Sequence, residues 1–434
     1  MARPGGRRWS GCSRPTKLCL FRNQEKLSCA CCEPGCATPT SNCLLGELHA
    51  DEHGYVHSAL RYMGFTGVVG HEFVGVVEKI ESSEDGDEGE EGQGQSTSSA
   101  SFLGKRVVGE INLACTHCRV CERGGDRARN HCPERTVLGI LGKHGTYADY
   151  LTLPCRNLHV VPDNVSDAAA VFAEPLAAAC RIVEQGLVPP DANAAVLGDG
   201  KLGLLVAEVL ARRGTGAAPT AAAAAAAVVA AASTTAAPTA SGEDVAIERV
   251  GAAAAAAGTA GTTTLIGRHK EKMDMCCGGC PGTAAAGPGE GGGVCSSGGA
   301  QPPLIRVHAR EDQARLAGTF DVVVDATGSP HGLAAASELC RPLGTVVLKS
   351  TCAAGAGFNP APVVINEQRI VGSRCGPFDA ALRLLAEPGG GIDVERYVSG
   401  VFPLEEAAAA VECARQKGAL KVQIICSQAV GNGE

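Results

Sequence analysis

The chain is short of aromatic residues, with one Trp, five Tyr and nine Phe among 434 positions. Methionine is scarce too, at four, while glycine takes 57 positions and alanine runs in long tracts. Much of the length is therefore not core material, although it has room for roughly two to three domains. No basic stripe exists beyond the extreme N-terminus, and the net charge is −8, so nucleic acid is not expected as a partner. No long apolar run escapes Gly, Pro or Thr except the alanine tracts, and these are too weakly apolar to make membrane spans. An apolar signal-peptide core is also missing. The 22 cysteines then suit metal binding in a reducing compartment better than a disulfide framework. A cytoplasmic protein is expected. Residues 1–24 hold Arg3, Arg7, Arg8, Arg14, Lys17 and Arg22 and no acid, so an organellar location, plastid or mitochondrion, is the alternative. Bases in turn are missing from residues 81–101, where seven carboxylates mark a solvated loop.

Against these absences stands one dense feature. Cys115, Cys118, Cys121 and Cys132 lie in the run CTHCRVCERGGDRARNHC. Three thiols at two-residue intervals and a fourth after a loop can surround one ion, and four thiolates with no open position suit a structural zinc. A second cysteine group, Cys276, Cys277, Cys280 and Cys295, falls in a glycine-rich stretch that offers no rigid frame for metal.

From residue 190 onward short apolar runs alternate with helical stretches, which implies a parallel sheet wound on both faces. The strand AAVL leads into Gly198-Asp-Gly200-Lys201-Leu202-Gly203, with a helix behind it. That is the glycine turn of a dinucleotide-binding unit, with the helix N-terminus set to attract the phosphates. The next strand, residues 263–267, ends in Arg268-His269-Lys270 without an acid. A basic residue there pairs with a 2′-phosphate, so NADP(H) is favoured over NAD(H). Thr327 and Gly328 close the strand DVVVDATGS and are expected near the nicotinamide ribose or in the turn itself. Low-complexity inserts, residues 215–262 and 276–302, each follow a helix and precede a strand. They lie at the sheet end opposite the ligand crevice. Residues 1–60 show no clear period, and no strand is assigned there.

Gly70-His71-Glu72 and Glu174-Pro175-Leu176 place an imidazole and two carboxylates beside this framework. Taken singly, each has a bland explanation; together they read as ligands of a second, catalytic zinc that polarises an alcohol or carbonyl oxygen. Together with HCPERTVLGILGKHGTYADYLTLP, GTVVLKST and VGSRCGPF, these motifs resemble the zinc-dependent medium-chain dehydrogenase/reductases, the group of alcohol, sorbitol and threonine dehydrogenases. The resemblance runs from about Tyr62 to Gln423, apart from the inserts.

It implies an α/β protein of two domains. A GroES-like partly open β-barrel (61–188) would carry both zincs. A Rossmann doubly wound parallel-sheet domain (189–375) would bind the cofactor, and residues 376–434 would finish that domain and return to the barrel. His71, Glu72 and Glu174 match the positions at or beside the catalytic zinc, and Cys115, Cys118, Cys121 and Cys132 the structural one, with a longer final loop than usual. The resemblance also implies a homo-oligomer formed through Rossmann edge strands near IVGSRC, and a small-molecule alcohol or carbonyl substrate.

One element of the pattern is missing. The family's upstream zinc-ligating Cys, followed by a hydroxyl residue and an Asp, does not occur. Cys43 is the nearest cysteine, and His49, Glu52, His53 and His57 lie in the same stretch. A divergent ligand, a lost catalytic zinc or an unnatural N-terminal segment would each account for this, and the last is favoured. The expected activity is a zinc-dependent transfer of hydride between NADP(H) and an alcohol, polyol or sugar. The alternative is an NADPH-binding protein without dehydrogenase activity.

Overall fold

The computed structural model describes residues 18–23, 67–68, 70–81, 99–124, 129–148, 150–212, 261–276, 304–309, 313–351, 357–388, 391–403 and 406–425. The acidic loop between 81 and 99, most of both inserts, Cys43, His49, Glu52, His53, His57, Cys277, Cys280 and Cys295 lie outside the described residues.

The first half of the chain builds an antiparallel sheet. Strands β1 (Leu18–Asn23), β2 (Gly75–Glu81), β3 (Arg106–Gly109), β7 (Tyr150–Pro154) and β8 (Leu158–Val160) take the order β7-β1-β2-β3-β8. Three short strands between them, β4 (Asn112–Leu113), β5 (Thr136–Leu138) and β6 (Gly142–Lys143), form a small separate sheet. Phe73, Val77, Val107, Leu138, Leu151 and Leu153 fill the space within. Strand β1 lies in residues 1–60, where the sequence assigns no strand, and its backbone pairs with both β2 and β7. Its sequence LCLFRN is apolar without alternation and too short to show a period.

The second half is a six-stranded parallel sheet. Its strands are β9 (Ala194–Leu197), β10 (Thr263–Gly267), β11 (Leu304–His308), β12 (Phe320–Asp325), β13 (Cys340–Leu348) and β14 (Arg369–Gly372), in the order β11-β10-β9-β12-β13-β14. Strands β9 and β10 are buried at every position, as helix-covered parallel strands must be. The side chains alternate between two cores. Ala194, Val196, Val322 and Val324 face one cluster, and Ala195, Leu197, Val323 and Val346 face the other. The strand order reverses between β9 and β12, and the loops after these two strands flank the crevice where ligands bind in such sheets.

Between the barrel and the parallel sheet stand two helices, Asp167–Ala170 and Ala173–Glu184. Ser166 caps the first by accepting the Ala169 N–H at 3.0 Å. Pro175 explains the restart, since a proline is tolerated only where no N–H is needed, in a first turn. The second helix buries Leu176, Ala177, Cys180 and Ile182 in a core that also takes in Val74, Val108 and Val161 of the barrel. The two domains therefore share one apolar centre. Strands β15 (Val398–Pro403) and β16 (Lys421–Ile425) pair in parallel beside the helix Ala407–Arg415.

A few residues at the edges of the inserts belong to the described fold. Gly261 donates its N–H to Pro190, and the buried Cys276 sulfur lies 3.7 Å from the Leu204 carbonyl. Ten cysteines among the described residues, those of the four-cysteine lobe included, are free thiols.

Candidate functional site

The four-cysteine lobe is the best-formed metal site. Sγ of Cys132 lies 3.5 Å from that of Cys115, Cys118 lies 3.6 Å from Cys121 and 3.8 Å from Cys132, and Cys115 lies 4.0 Å from Cys121. A tetrahedral zinc with bonds of about 2.3 Å needs sulfurs about 3.8 Å apart. The residues present fit that ion. The long loop before Cys132 does not spoil the closure. Electrostatics divide the thiols: the backbone N–H of Cys121 brings Cys118 down to about 7, while burial pushes Cys115 up to about 12. His117 sits beside the lobe, its Nδ1 2.7 Å from the Cys115 carbonyl.

His71, Glu72 and Glu174 converge at the seam between the domains, their ligand atoms all within 4.8 Å of one another. His71 and Glu72 lie in the extended segment just before β2, and Glu174 in the first turn of the helix Ala173–Glu184. One imidazole and two carboxylates form a donor set that zinc accepts, and three protein ligands leave a position for substrate. Glu72 is tied elsewhere as well. Lys201 donates to its Oε1 at 2.9 Å, and Lys421 of β16 faces its Oε2. The three side chains are 6% and 7% exposed, so the pairing is strong and dry. Lys421 also lies over the Phe172 ring, 5.0 Å from its centre. Lys421 carries no spacing that marks it in the sequence; only the folded return of β16 brings it to the site.

The glycine turn has the form that the pattern requires. Gly198 has φ +115°, and a Cβ there would come 2.8 Å from the Ala326 carbonyl oxygen. A Cβ at Gly203 would run into the Gly198 carbonyl. Gly200 precedes the helix Lys201–Ala211 as its N-cap, and Leu202 packs on the core. Lys201, expected at the cofactor, thus reaches across to Glu72.

Across the crevice, Asp325 organises the loop after β12. Its Oδ1 accepts the Thr327 N–H at 3.0 Å and the Thr327 hydroxyl at 2.7 Å. Gly328, at φ +66°, donates its N–H to Ser350 Oγ at 2.8 Å. Thr327 therefore has a structural task in the turn, and Gly328 supplies backbone at the crevice. Lys349, at the end of β13, is buried there. It donates to the Arg374 carbonyl at 2.6 Å, and burial pushes its ammonium down to about 8.

Arg268 follows the end of β10 as expected, but the corner is not free of acid. The Asp199 carboxylate, from within the glycine turn, accepts the Arg268 N–H at 2.7 Å and the His269 N–H at 2.5 Å. The sequence pattern treats that residue as a filler between two glycines.

These features agree with what the chain resembles. Residues 46–163 match the alcohol dehydrogenase GroES-like domain. L-threonine 3-dehydrogenase of Yersinia enterocolitica is 36% identical over 33% of this chain and 36% of its own length. The starvation-sensing protein RspB of Escherichia coli K12 is 30% identical over 38% of this chain and 44% of its own. The chain thus spans less than half the length of these curated relatives. In fold, the alcohol dehydrogenase TADH of Thermus sp. ATN1 superposes with a TM-score of 0.59 at 23% identity, covering 98% of this chain and 96% of that one. The chain thus has the fold of a GroES-like domain joined to a Rossmann domain. Among the described residues, no helix is long and apolar enough to cross a membrane.

Proposed function

We propose that the chain is a zinc-dependent oxidoreductase that moves a hydride between a nicotinamide dinucleotide and an alcohol, polyol or sugar, or the corresponding carbonyl. The observation that carries this is the convergence of His71, Glu72 and Glu174 at the domain seam, where Lys201 of the glycine turn reaches Glu72. The names of the relatives, an alcohol and a threonine dehydrogenase, support the same reaction type.

When bound, zinc supplies charge that makes an alcohol proton easier to lose, and the nicotinamide supplies the hydride acceptor. The chain's part is placement. His71, Glu72 and Glu174 would hold the metal, with Lys201 and Lys421 pairing with Glu72. Gly198, Gly200 and Gly203 let the pyrophosphate reach the helix N-terminus. Thr327 and Gly328 border the nicotinamide end. Cys115, Cys118, Cys121 and Cys132 would hold a structural zinc. Cys43 stands as a further candidate ligand.

Arg268 supports NADP(H) over NAD(H) by offering a partner to a 2′-phosphate. The Asp199 carboxylate in the same corner weighs the other way, and we give it the greater weight.

The test is absorbance at the reduced nicotinamide band with the full chain, NAD⁺ or NADP⁺, and a panel of secondary alcohols, polyols and L-threonine. Turnover is expected, and His71→Ala should lower kcat/KM by a factor on the order of 1,000, as loss of a charge-stabilising metal requires. Turnover indifferent to His71→Ala would contradict the reading.

A further inference from the structure

Nicotinamide dinucleotides are told apart at one place, the end of the second strand of the sheet, where the adenosine ribose lies. An acid there holds the 2′-hydroxyl of NAD, and a base accommodates the 2′-phosphate of NADP. In this chain β10 ends at Gly267 and runs into Arg268, His269 and Lys270, without an acid. The adjoining strand β9 makes up for it. Its glycine turn delivers Asp199 sideways onto the end of β10.

The contact is built rather than incidental. Oδ2 of Asp199 accepts two successive backbone N–H groups, from Arg268 at 2.7 Å and His269 at 2.5 Å. The His269 ring closes on the same carboxylate, with Nδ1 3.1 Å from Oδ2 and 3.3 Å from Oδ1. His308 Nε2 lies 3.1 Å from the Arg268 carbonyl and steadies the far side. Asp199 is 8% exposed. The approach depends on Gly267, where a Cβ would stand 2.6 Å from Asp199 Cβ and 2.7 Å from its Oδ2.

Two consequences follow for a ligand. Successive backbone N–H groups are the natural donors for an anion at such a strand end, and both are already engaged by Asp199. A 2′-phosphate would find neither donor, and it would meet a fixed negative charge. A ribose diol is neutral and brings its own O–H donors, which an ionised carboxylate can accept. Oδ1, with a single long contact to the His269 ring among its described partners, is the oxygen placed to take them.

We propose that Asp199 is the ribose-diol acceptor of this chain and selects NAD(H) over NADP(H). The proposal rests on the reading of the glycine turn as a nicotinamide-dinucleotide site. It is tested by titrating NADH and NADPH into the full-length protein and following nicotinamide fluorescence at one fixed ionic strength. NADH should bind at least about tenfold more tightly, the worth of about one buried hydrogen bond. In Asp199→Asn the ratio should move toward NADPH by about tenfold or more, by the same arithmetic. The ratio is taken on one preparation, so partial unfolding of a variant cancels, and the unaltered chain alone already decides the sign. Equal or tighter binding of NADPH by the unaltered chain would overturn the assignment, as would an unchanged ratio in Asp199→Asn, and both leave the dinucleotide site standing. Binding of neither dinucleotide would overturn the site itself and the assignment with it.

Discussion

At the scale of the residue, the chain places several charges where water does not reach, and each is matched. Glu208 is fully buried in the helix behind the glycine turn, and Arg212, Arg396 and the Tyr397 hydroxyl converge on its carboxylate. Breaking such a group from one side leaves guanidinium charges without their partner. Glu208→Ala should therefore cost about 3–5 kcal/mol in urea unfolding. A loss below about 1 kcal/mol, the worth of a surface pair, would show that the cluster is solvated in solution. His159 is a second such group. Burial opposes its charge, but hydrogen bonds to Asp379 at 2.9 Å and Glu110 at 3.0 Å outweigh it and hold the imidazolium up at about 9. Its folded value lies above the unfolded one of about 6.5. The stabilisation is thus complete below about pH 6.5 and disappears as pH rises through about 9, a difference of roughly 3 kcal/mol. Thermal melts at pH 6 and pH 9.5 should show a falling Tm in the unaltered chain and a smaller fall in His159→Gln. Parallel falls in both would remove His159 from the explanation.

At the scale of the element, what the sequence discloses depends on how local the cause is. The strand–turn–helix around Gly198, Gly200 and Gly203 is legible because each glycine answers to a contact within its own turn or the neighbouring strand. The four-cysteine lobe is legible for the same reason, since one loop closes it. Removing one of its thiols should release the ion and loosen the lobe. Cys132→Ala is expected to lower zinc by one per chain and to expose residues 112–138 to proteolysis, because the binding energy of a structural zinc is folding energy. Retention of all zinc in that variant would sink the assignment. The elements missed are those whose partners are remote. Strand β1 lacks any periodicity of its own and is defined by pairing with β2 and β7. Asp199 looks like a spacer until β9 and β10 are laid side by side. Lys421 reaches Glu72 across most of the chain, and nothing near it in sequence announces the pairing.

At the scale of the whole molecule, the seam between the domains carries both stability and the candidate chemistry. His159 of β8 stacks on Phe378 at 5.1 Å and binds Asp379, on the helix that follows the Rossmann sheet. Arg374 and Cys375 meet Asn112 and Asn130 of the zinc lobe. One edge strand of the parallel sheet, β14, pairs with no further strand among the described residues. β14 ends the parallel sheet, and Leu343, Val364, Ile365 and Ile370 around it stand 63%, 72%, 78% and 39% exposed. Pairing of β14 with its copy would cover them, so light scattering should report a dimer or a multiple of it. Ile370→Asp should shift that equilibrium to monomer; a monomeric unaltered chain would refute the pairing. The central claim is that this seam holds a catalytic zinc in addition to the structural one, and elemental analysis of the purified full-length chain tests it most directly. The account predicts two zincs per chain, falling to one in His71→Ala while the four-cysteine zinc stays. One zinc per chain, unchanged by His71→Ala, would contradict it.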